Sequence, residues 1–363
     1  MKIAMPVESK ATRRNSRKWD AADRPRGPMN RAVVFSGRTR TIRTLLTAGI
    51  LALLSFGCSD APDRLVLKLA HGLDPSHPVH KAMQFFGDRV QERSEGAIVV
   101  EIFSGGQLGT ERETIEQVQL GIIHMAKAST ANLESFVPVM GIFSYPYLFE
   151  DSQDFWEVLH GPIGKELLGA GKSVGVKGLC YYDAGARSFY TRERRIESPA
   201  DLTSLKIRSM PSKTSMETLK ELGANPAPIP WGELYTSLQQ GVVDGAENNP
   251  PSFLTSRHYE VCKFFSLDEH TRIPDILLIG EKVWIGLSDD VRDLLQAAAN
   301  ESSAYQRELW KEETELALES MEKSGVEISR PEKELFKQRT EGLYRACDSE
   351  EIAALVKSIK KSG

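Results

Sequence analysis

The chain has 363 residues, 40% of them hydrophobic and 26% charged, with a formal net charge of −4. That length allows two domains, and that mix belongs to a globular protein rather than a disordered or fibrous one. The charge is uneven: residues 1–57 carry 12 Lys or Arg against 3 Asp or Glu, so the rest holds a net −13, which argues against nucleic acid as a partner and requires any anion site to be built locally.

Taken in chain order, the first pattern is a leader. Arg38, Arg40 and Arg43 precede a short apolar run from Leu45 to Phe56. This predicts a signal segment over residues 1–57, with an apolar core too short to stand as a membrane span. Met29 offers an alternative start, and Arg13-Arg14 lies too far upstream of the run to serve as a twin-arginine signal. Cys58 follows Gly57 as a lipid-bearing cysteine does, although Phe56 stands where a small residue is usual. Beyond it, Cys180, Cys262 and Cys347 permit at most one disulfide, and buried thiols are the favoured reading. No later apolar run is long enough to cross a bilayer, so the processed protein is expected to be soluble.

Alternation predicts a strand over 65–70 and a helix over 77–95 that stops before Gly96. A strand over 98–103 comes next, then Thr110-Glu111-Arg112-Glu113, a capping box that starts a helix ending at Gly121. Asp151 opens another helix. Strands are expected over 176–182, 205–210 and 276–280, with a helix over 212–222 between the last two. Trp231, Leu234, Tyr235 and Leu238 keep helical spacing up to Gly241, and "VVDG" (242–245) reads as a short strand and turn. Strand and helix alternate, which means α/β with largely parallel sheets. From Asp289 to Lys323 no Pro or Gly interrupts a helical pattern, giving a helix of roughly 50 Å that would tie two domains together. No internal repeat is evident.

Catalytic motifs fail on context. "GKSVG" (171–175) fits the spacing of a nucleophile elbow, but a helix precedes it and a strand comes after, the reverse of what that motif needs. The neighbouring "GAGKS" lacks the first glycine of a phosphate loop, Glu166 standing in its place. His71, His77 and His80 have no metal-ligand spacing, and His77 and His80 suit a helix start better. No metal, no cofactor and no carboxylate pair for acid/base chemistry is expected.

Other residues suit binding. Lys206 and Arg208 face one side of their strand, and Pro211-Ser212 start a helix, so Arg208 sits near a strand's carboxyl end, where ligands bind in open α/β sheets. A planar guanidinium grips a carboxylate by two parallel hydrogen bonds; the competing reading is a surface or interdomain salt bridge. Arg187 comes soon after another strand, beyond the flexible Gly185, and is open to the reading of an exposed loop residue. Trp231, at helical spacing, reads first as a core residue, and a flat indole at a cleft edge could also pack on a sugar ring. In "DGAENNPPSF" (244–253), Asn248 offers a donor and an acceptor, Glu247 is placed to hold neighbouring arginine or backbone groups, and Pro250-Pro251 stiffen the backbone beyond them.

The stretch 205–253, "LKIRSMPSKTSMETLKELGANPAPIPWGELYTSLQQGVVDGAENNPPSF", resembles the substrate-binding subunits of TRAP (tripartite ATP-independent periplasmic) transporters, the dicarboxylate-binding-protein family. "GGQLGTERETIEQVQLGII" and "GIFSYPYLFED" carry the same resemblance, which spans roughly residues 65–345. It implies an α/β, two-domain periplasmic-binding-protein-like clamp with a long helix spanning both domains. The expected division is 58–184 plus about 274–312 for one domain and 185–273 plus about 313–363 for the other, with the ligand cleft between them. By resemblance, Arg208 forms the main salt bridge to a ligand carboxylate, with Arg187, Asn248 and Trp231 beside it. His71, Glu111 and Ser129 complete the candidate set; Ser129 falls where some relatives place a carboxylate.

The implied function is that of an extracytoplasmic binding protein, not an enzyme, that captures a uronate or aldonate in the periplasm. It would deliver this small organic anion, as a monomer, to the membrane subunits of an ion-gradient-driven transporter. A C4-dicarboxylate or a sialic acid is the alternative ligand, and an exported α/β hydrolase is the alternative class.

Overall fold

The computed structural model describes residues 64–347 and 349–362; the expected signal segment and Cys58 lie outside them. The strands are β1 Leu65–Ala70, β2 Ile98–Phe103, β3 Met125–Ser129, β4 Val176–Tyr182, β5 Arg187–Thr191, β6 Lys206–Ser209, β7 Asn225–Pro228, β8 Gly245–Asn248, β9 Phe264–Thr271, β10 Asp275–Gly280 and β11 Glu327–Ser329. The helices are α1 Pro78–Arg93, α2 Glu111–Leu120, α3 Thr130–Leu133, α4 Ser152–His160, α5 Pro162–Gly169, α6 Lys213–Glu221, α7 Trp231–Gln239, α8 Pro250–Thr255, α9 Glu281–Gly286, α10 Asp289–Lys323, α11 Lys333–Arg345 and α12 Glu350–Ser362.

Local chemistry sets several of these boundaries. Thr110 accepts from the Glu113 amide while the Glu113 carboxylate takes the Thr110 amide, the capping box expected at the start of α2. Asp151 caps α4 by accepting from the amides of Gln153 and Asp154. Pro250 and Pro251 stand at the first positions of α8, where a missing N–H costs nothing, and Asn249 caps it by accepting from Ser252 N at 2.8 Å. Five strands, β3, β5, β7, β9 and β11, were not expected from the sequence, so Arg187 opens a buried strand and is not an exposed loop residue, and one expected strand is displaced. Val242–Asp244 is turn, and β8 starts at Gly245, because Gly245 packs where an added Cβ would lie 2.3 Å from the Tyr190 carbonyl oxygen. Only the bare backbone fits there, and the shift places Asn248 at the strand's end.

Two sheets result, ordered β2-β1-β3-β10-β4 and β7-β6-β8-β5-β9-β11. In each, the first three strands are parallel, and the fourth runs antiparallel because it arrives from the other sheet: β5 follows β4, and β10 follows β9. We call the two sheets with their helices the first and second lobes. Apolar alternation drives each core: Leu67, Leu69 and Phe86 are fully buried in the first, and Phe189, Ile207 and Leu234 in the second.

The lobes repeat one another, which the amino-acid sequence did not reveal. The run β1-α1-β2-α2-β3 matches β6-α6-β7-α7-β8 element for element. Gly121 and Gly241 both leave their helices left-handed, at φ 74° and 70°. Next, His124 Nδ1 accepts from Lys68 N at 3.0 Å, and in the second lobe Asp244 Oδ2 accepts from Lys206 N at 2.7 Å. The repeat lives in backbone hydrogen bonding, which a His and an Asp satisfy equally.

The 35-residue α10 runs over both lobes, packing on α1 and β4 at one end and on α8 at the other. Its Gln306 pins the crossing strand: Oε1 accepts from Asp183 N at 2.7 Å and Nε2 donates to Asp183 O at 2.9 Å. The chain end departs from the expected division. Phe336 of α11 packs in the second lobe, but Ile359 of α12 is buried in the first lobe's core beside Phe143 and Phe155. The apolar face of α12 finds its partner across the molecule, a long-range pairing that periodicity cannot assign. Cys180, Cys262 and Cys347 are free thiols.

Candidate ligand-binding cleft

The carboxyl ends of β1, β3, β6 and β8 face a hollow between the lobes, floored by the two crossing connections. Arg187, Arg208, Trp231, Asn248, Glu111 and Ser129 all line it. So do Lys127, Asn132, Asn249, Ser252 and Asp275, which were not singled out in the sequence. The hollow is narrow, about 50 Å³, and adjoins a mouth of about 340 Å³ that shares Glu111, Asn132 and Trp231 with it.

Arg208 is 2% exposed and lies one residue before the end of β6. Its Nε donates to Ile229 O at 2.9 Å, and its guanidinium carbon lies 5.9 Å from the centre of the Trp231 ring. Nη1 is buried and has no hydrogen-bond partner among the described residues. Burial pulls the Arg208 pKa down to about 10, against the opposing pull of Glu247, so it stays charged at neutral pH.

Arg187 is held differently. Its Nε and Nη2 engage the Glu247 carboxylate, Nη2 also donates to Glu247 O at 2.8 Å, and Nη1 donates to Asn248 Oδ1 at 2.9 Å. Burial would raise the Glu247 carboxyl, but the Arg187 charge and a bond from His270 outweigh it and hold the group at about 2. His270 donates from Nδ1 to Asp268 at 2.7 Å and stacks on Phe189. Burial disfavours its charge, yet Asp268 and then Glu247 raise it to about 9. Glu247 thus holds an arginine, as expected.

Asn248 needs a correction. Its Oδ1 already accepts from Arg187 Nη1, Asn249 N and Asn249 Nδ2. Only the amide NH₂ remains for a ligand, so Asn248 serves the cleft as a donor, not as donor and acceptor.

The facing wall belongs to the first lobe. Lys127 is 2% exposed, and its Nζ sits 2.6 Å from Glu111 Oε1 and 3.1 Å from Asp275 Oδ1. The other Glu111 oxygen accepts from Ser129 N at 3.0 Å and from the Asn132 amide. Burial opposes the charge of all three groups. Lys127 is nonetheless raised by the two carboxylates and Glu111 is lowered by Lys127, whereas Asp275 is raised because burial and Glu111 act together against it. Among the described residues Lys127 is the one cation within ion-pair distance of both acids, and Asp275 is the acid pushed toward its neutral form.

His71 is not brought to the lining. Its Nδ1 accepts from Leu73 N at 3.1 Å, which leaves Nε2 to donate to His80 Nδ1 at 2.9 Å. Burial, then Lys127, pushes it down to about 3, so it is a neutral ring with both nitrogens used inside the first lobe. His77 caps α1 through Nδ1 and meets Ser252 Oγ of the second lobe at 3.0 Å. The residues missed had faint signals: Lys127 is a lone cation among small apolar residues in β3, and Asp275 opens an otherwise apolar strand.

Comparison with known proteins decides the family. Residues 69–350 match the profile described as "Bacterial extracellular solute-binding protein, family 7". The chain belongs to that family. Among solved structures, this family 7 protein is similar to a TRAP periplasmic solute binding protein from a Bradyrhizobium species in complex with α/β-D-galacturonate: 38% identity, TM-score 0.79, 81% of this chain and 99% of that one. One from Xanthobacter autotrophicus, with bound β-D-galacturonate, is 36% identical with a TM-score of 0.79 over 82% and 100% of the two chains. A third, from Chromohalobacter salexigens with bound D-glucuronate, is 30% identical with a TM-score of 0.79 over 82% and 100%. The α/β two-domain clamp is thereby shared with proteins that bind solutes outside the cytoplasm.

Proposed function

We propose that this family 7 protein captures a hexuronate, with D-galacturonate the first candidate, and releases it unchanged to the membrane subunits of an ion-gradient-driven TRAP transporter. The observation that carries the choice of ligand is the polarity of the cleft. On one wall Arg208 is buried with an unpaired Nη1; on the facing wall Glu111 and Asp275 share the single cation Lys127. A monoanion can place its carboxylate on Arg208 and offer hydroxyl donors to the acid-rich wall. A C4-dicarboxylate would press its second carboxylate against Glu111 and Asp275, a like-charge contact in a desolvated site. Trp231 beside Arg208 suits the apolar face of a sugar ring. The 36–38% identity to galacturonate-bound relatives supports the same choice.

Arg208 is assigned the ligand carboxylate, Arg187 and Asn248 Nδ2 a second set of donors, and Glu111, Lys127 and Ser129 the hydroxyls. The division into two domains follows the sheets, with 350–362 moved to the first. The protein acts as a monomer in the periplasm after losing its leader, with or without a lipid on Cys58. Calorimetry with D-galacturonate, D-glucuronate, D-erythronate and succinate tests the ligand: a uronate should bind at least about tenfold more tightly than succinate. Succinate as the tightest ligand would overturn the reading, and recovery of the ligand chemically altered would restore the hydrolase alternative.

A further inference from the structure

A large cavity lies away from the cleft. A groove of about 620 Å³ opens along the outer edge of β4, between the α4–α5 pair and α10. Its size falls within the range of small-molecule pockets. Four cations line it, Lys165, Lys172, Lys177 and Arg307, together with His160, and no Asp or Glu does. Some surface cations elsewhere find acids, as Lys81 does with Glu313, Arg195 with Glu327 and Lys333 with Glu269. None of the four groove cations has an ion pair among the described residues. Arg307 lies 4.2 Å over the Trp156 ring, and Lys177 4.8 Å over that of Trp284, with Glu281 the one acid close enough to favour its charge. Beneath the charges the floor is apolar, with Leu159, Leu168 and Leu179. The carbonyl edge of β4 is already closed by α10: Gln296 Nε2 donates to Leu179 O at 2.8 Å and Ser303 Oγ to Tyr181 O at 2.6 Å. A strand from a partner would find those acceptors used.

We propose that this groove is a second ligand site, for an amphipathic organic anion whose carboxylate meets Lys165, Lys172 and Arg307 while its apolar body lies on Leu159, Leu168 and Leu179. Clustered like charges repel one another unless an anion joins them. Burial, and after it the nearby charges of Arg307 and Lys165, lowers the His160 pKa. A concave groove with an apolar floor suits a small amphipathic molecule better than an extended acidic peptide, which would need a polar track.

The probe is sodium decanoate, with decanol and acetate as controls, titrated by calorimetry into the leader-free protein with and without saturating D-galacturonate. Decanoate should bind one to one in both conditions. Decanol and acetate should each bind at least about tenfold more weakly. Lys165→Glu with Lys172→Glu, both on exposed side chains, should weaken decanoate about tenfold or more and leave galacturonate affinity unchanged. The milder Lys172→Gln should weaken it by about two- to threefold, and serves if the double variant misfolds. The proposal is overturned if no decanoate heat appears, if decanol binds as tightly, if the lysine variants leave decanoate affinity intact, or if galacturonate displaces it.

Discussion

At the scale of the residue, the two arginines of the cleft are held differently. Arg187 commits Nε, Nη2 and one Nη1 hydrogen to Glu247 and Asn248, whereas Arg208 has a buried Nη1 with no hydrogen-bond partner among the described residues. Arg208→Ala should cost about 2–4 kcal/mol of uronate binding, the usual loss when one member of a buried charge pair is removed. Calorimetry giving wild-type affinity would take Arg208 out of the site. The network behind Arg187 makes a pH prediction. His270 has a folded-state pKa of about 9, above the ordinary 6.5, so its contribution is complete below about pH 6.5 and is lost as pH rises through about 9. Glu247, at about 2 against an ordinary 4.5, contributes fully above about pH 4.5 and loses that as pH falls toward 2. Stability from this network should therefore peak between about pH 4.5 and 6.5 and fall by on the order of 2–3 kcal/mol on the alkaline side. Urea unfolding followed across that range checks it, and His270→Asn should flatten the alkaline decline.

At the scale of the element, the connections between sheets carry the site. β5 and β10 begin at the crossings, with Arg187 and Asp275 as their first residues. Gln306 of α10 satisfies both backbone groups of Asp183 at one crossing, so Gln306→Ala should leave two buried groups unpaired and lower stability by about 1–3 kcal/mol, read as a reduced urea midpoint. Gly185 lies at the same crossing with φ 58°, and an added Cβ would stand 2.9 Å from Trp310 Nε1. Gly185→Ala should therefore destabilise by more than the roughly 1 kcal/mol of backbone strain alone, because the indole must move as well. Much at this scale was legible in the amino-acid order. The capping box at Thr110, the cap at Asp151 and the full span of α10 are local, and local chemistry writes them. The start of β8 was not, because what places Gly245 is the Tyr190 backbone 55 positions earlier.

At the scale of the whole molecule, the lobes meet around a hollow of only about 50 Å³, with His77 bonded to Ser252 and Ser129 to Met210 across it. A sugar acid can enter only if the lobes part. Small-angle scattering should accordingly show a smaller radius of gyration with galacturonate than without, and equal radii would remove closure from the account. A ligand held at a hundred times its Kd should add about 2.7 kcal/mol to stability, so a thermal-shift panel of uronates, aldonates and dicarboxylates should show one clear winner.

The sequence by itself determined the α/β class, the long helix and the polar residues of strand ends, because periodicity, caps and glycines act over a few neighbouring positions. It also marked Arg208 by its place near a strand's carboxyl end, and Arg187 and Asn248 by the family resemblance of the stretches that hold them. Only the tertiary structure decided which of their hydrogen-bonding groups stay free, that His71 turns inward, and that Lys127 is shared between Glu111 and an Asp275 nearly 150 residues away. Charge balance in a cleft is a sum over residues that meet only once the sheets have formed, and the spacing of residues along the chain carries no record of that sum.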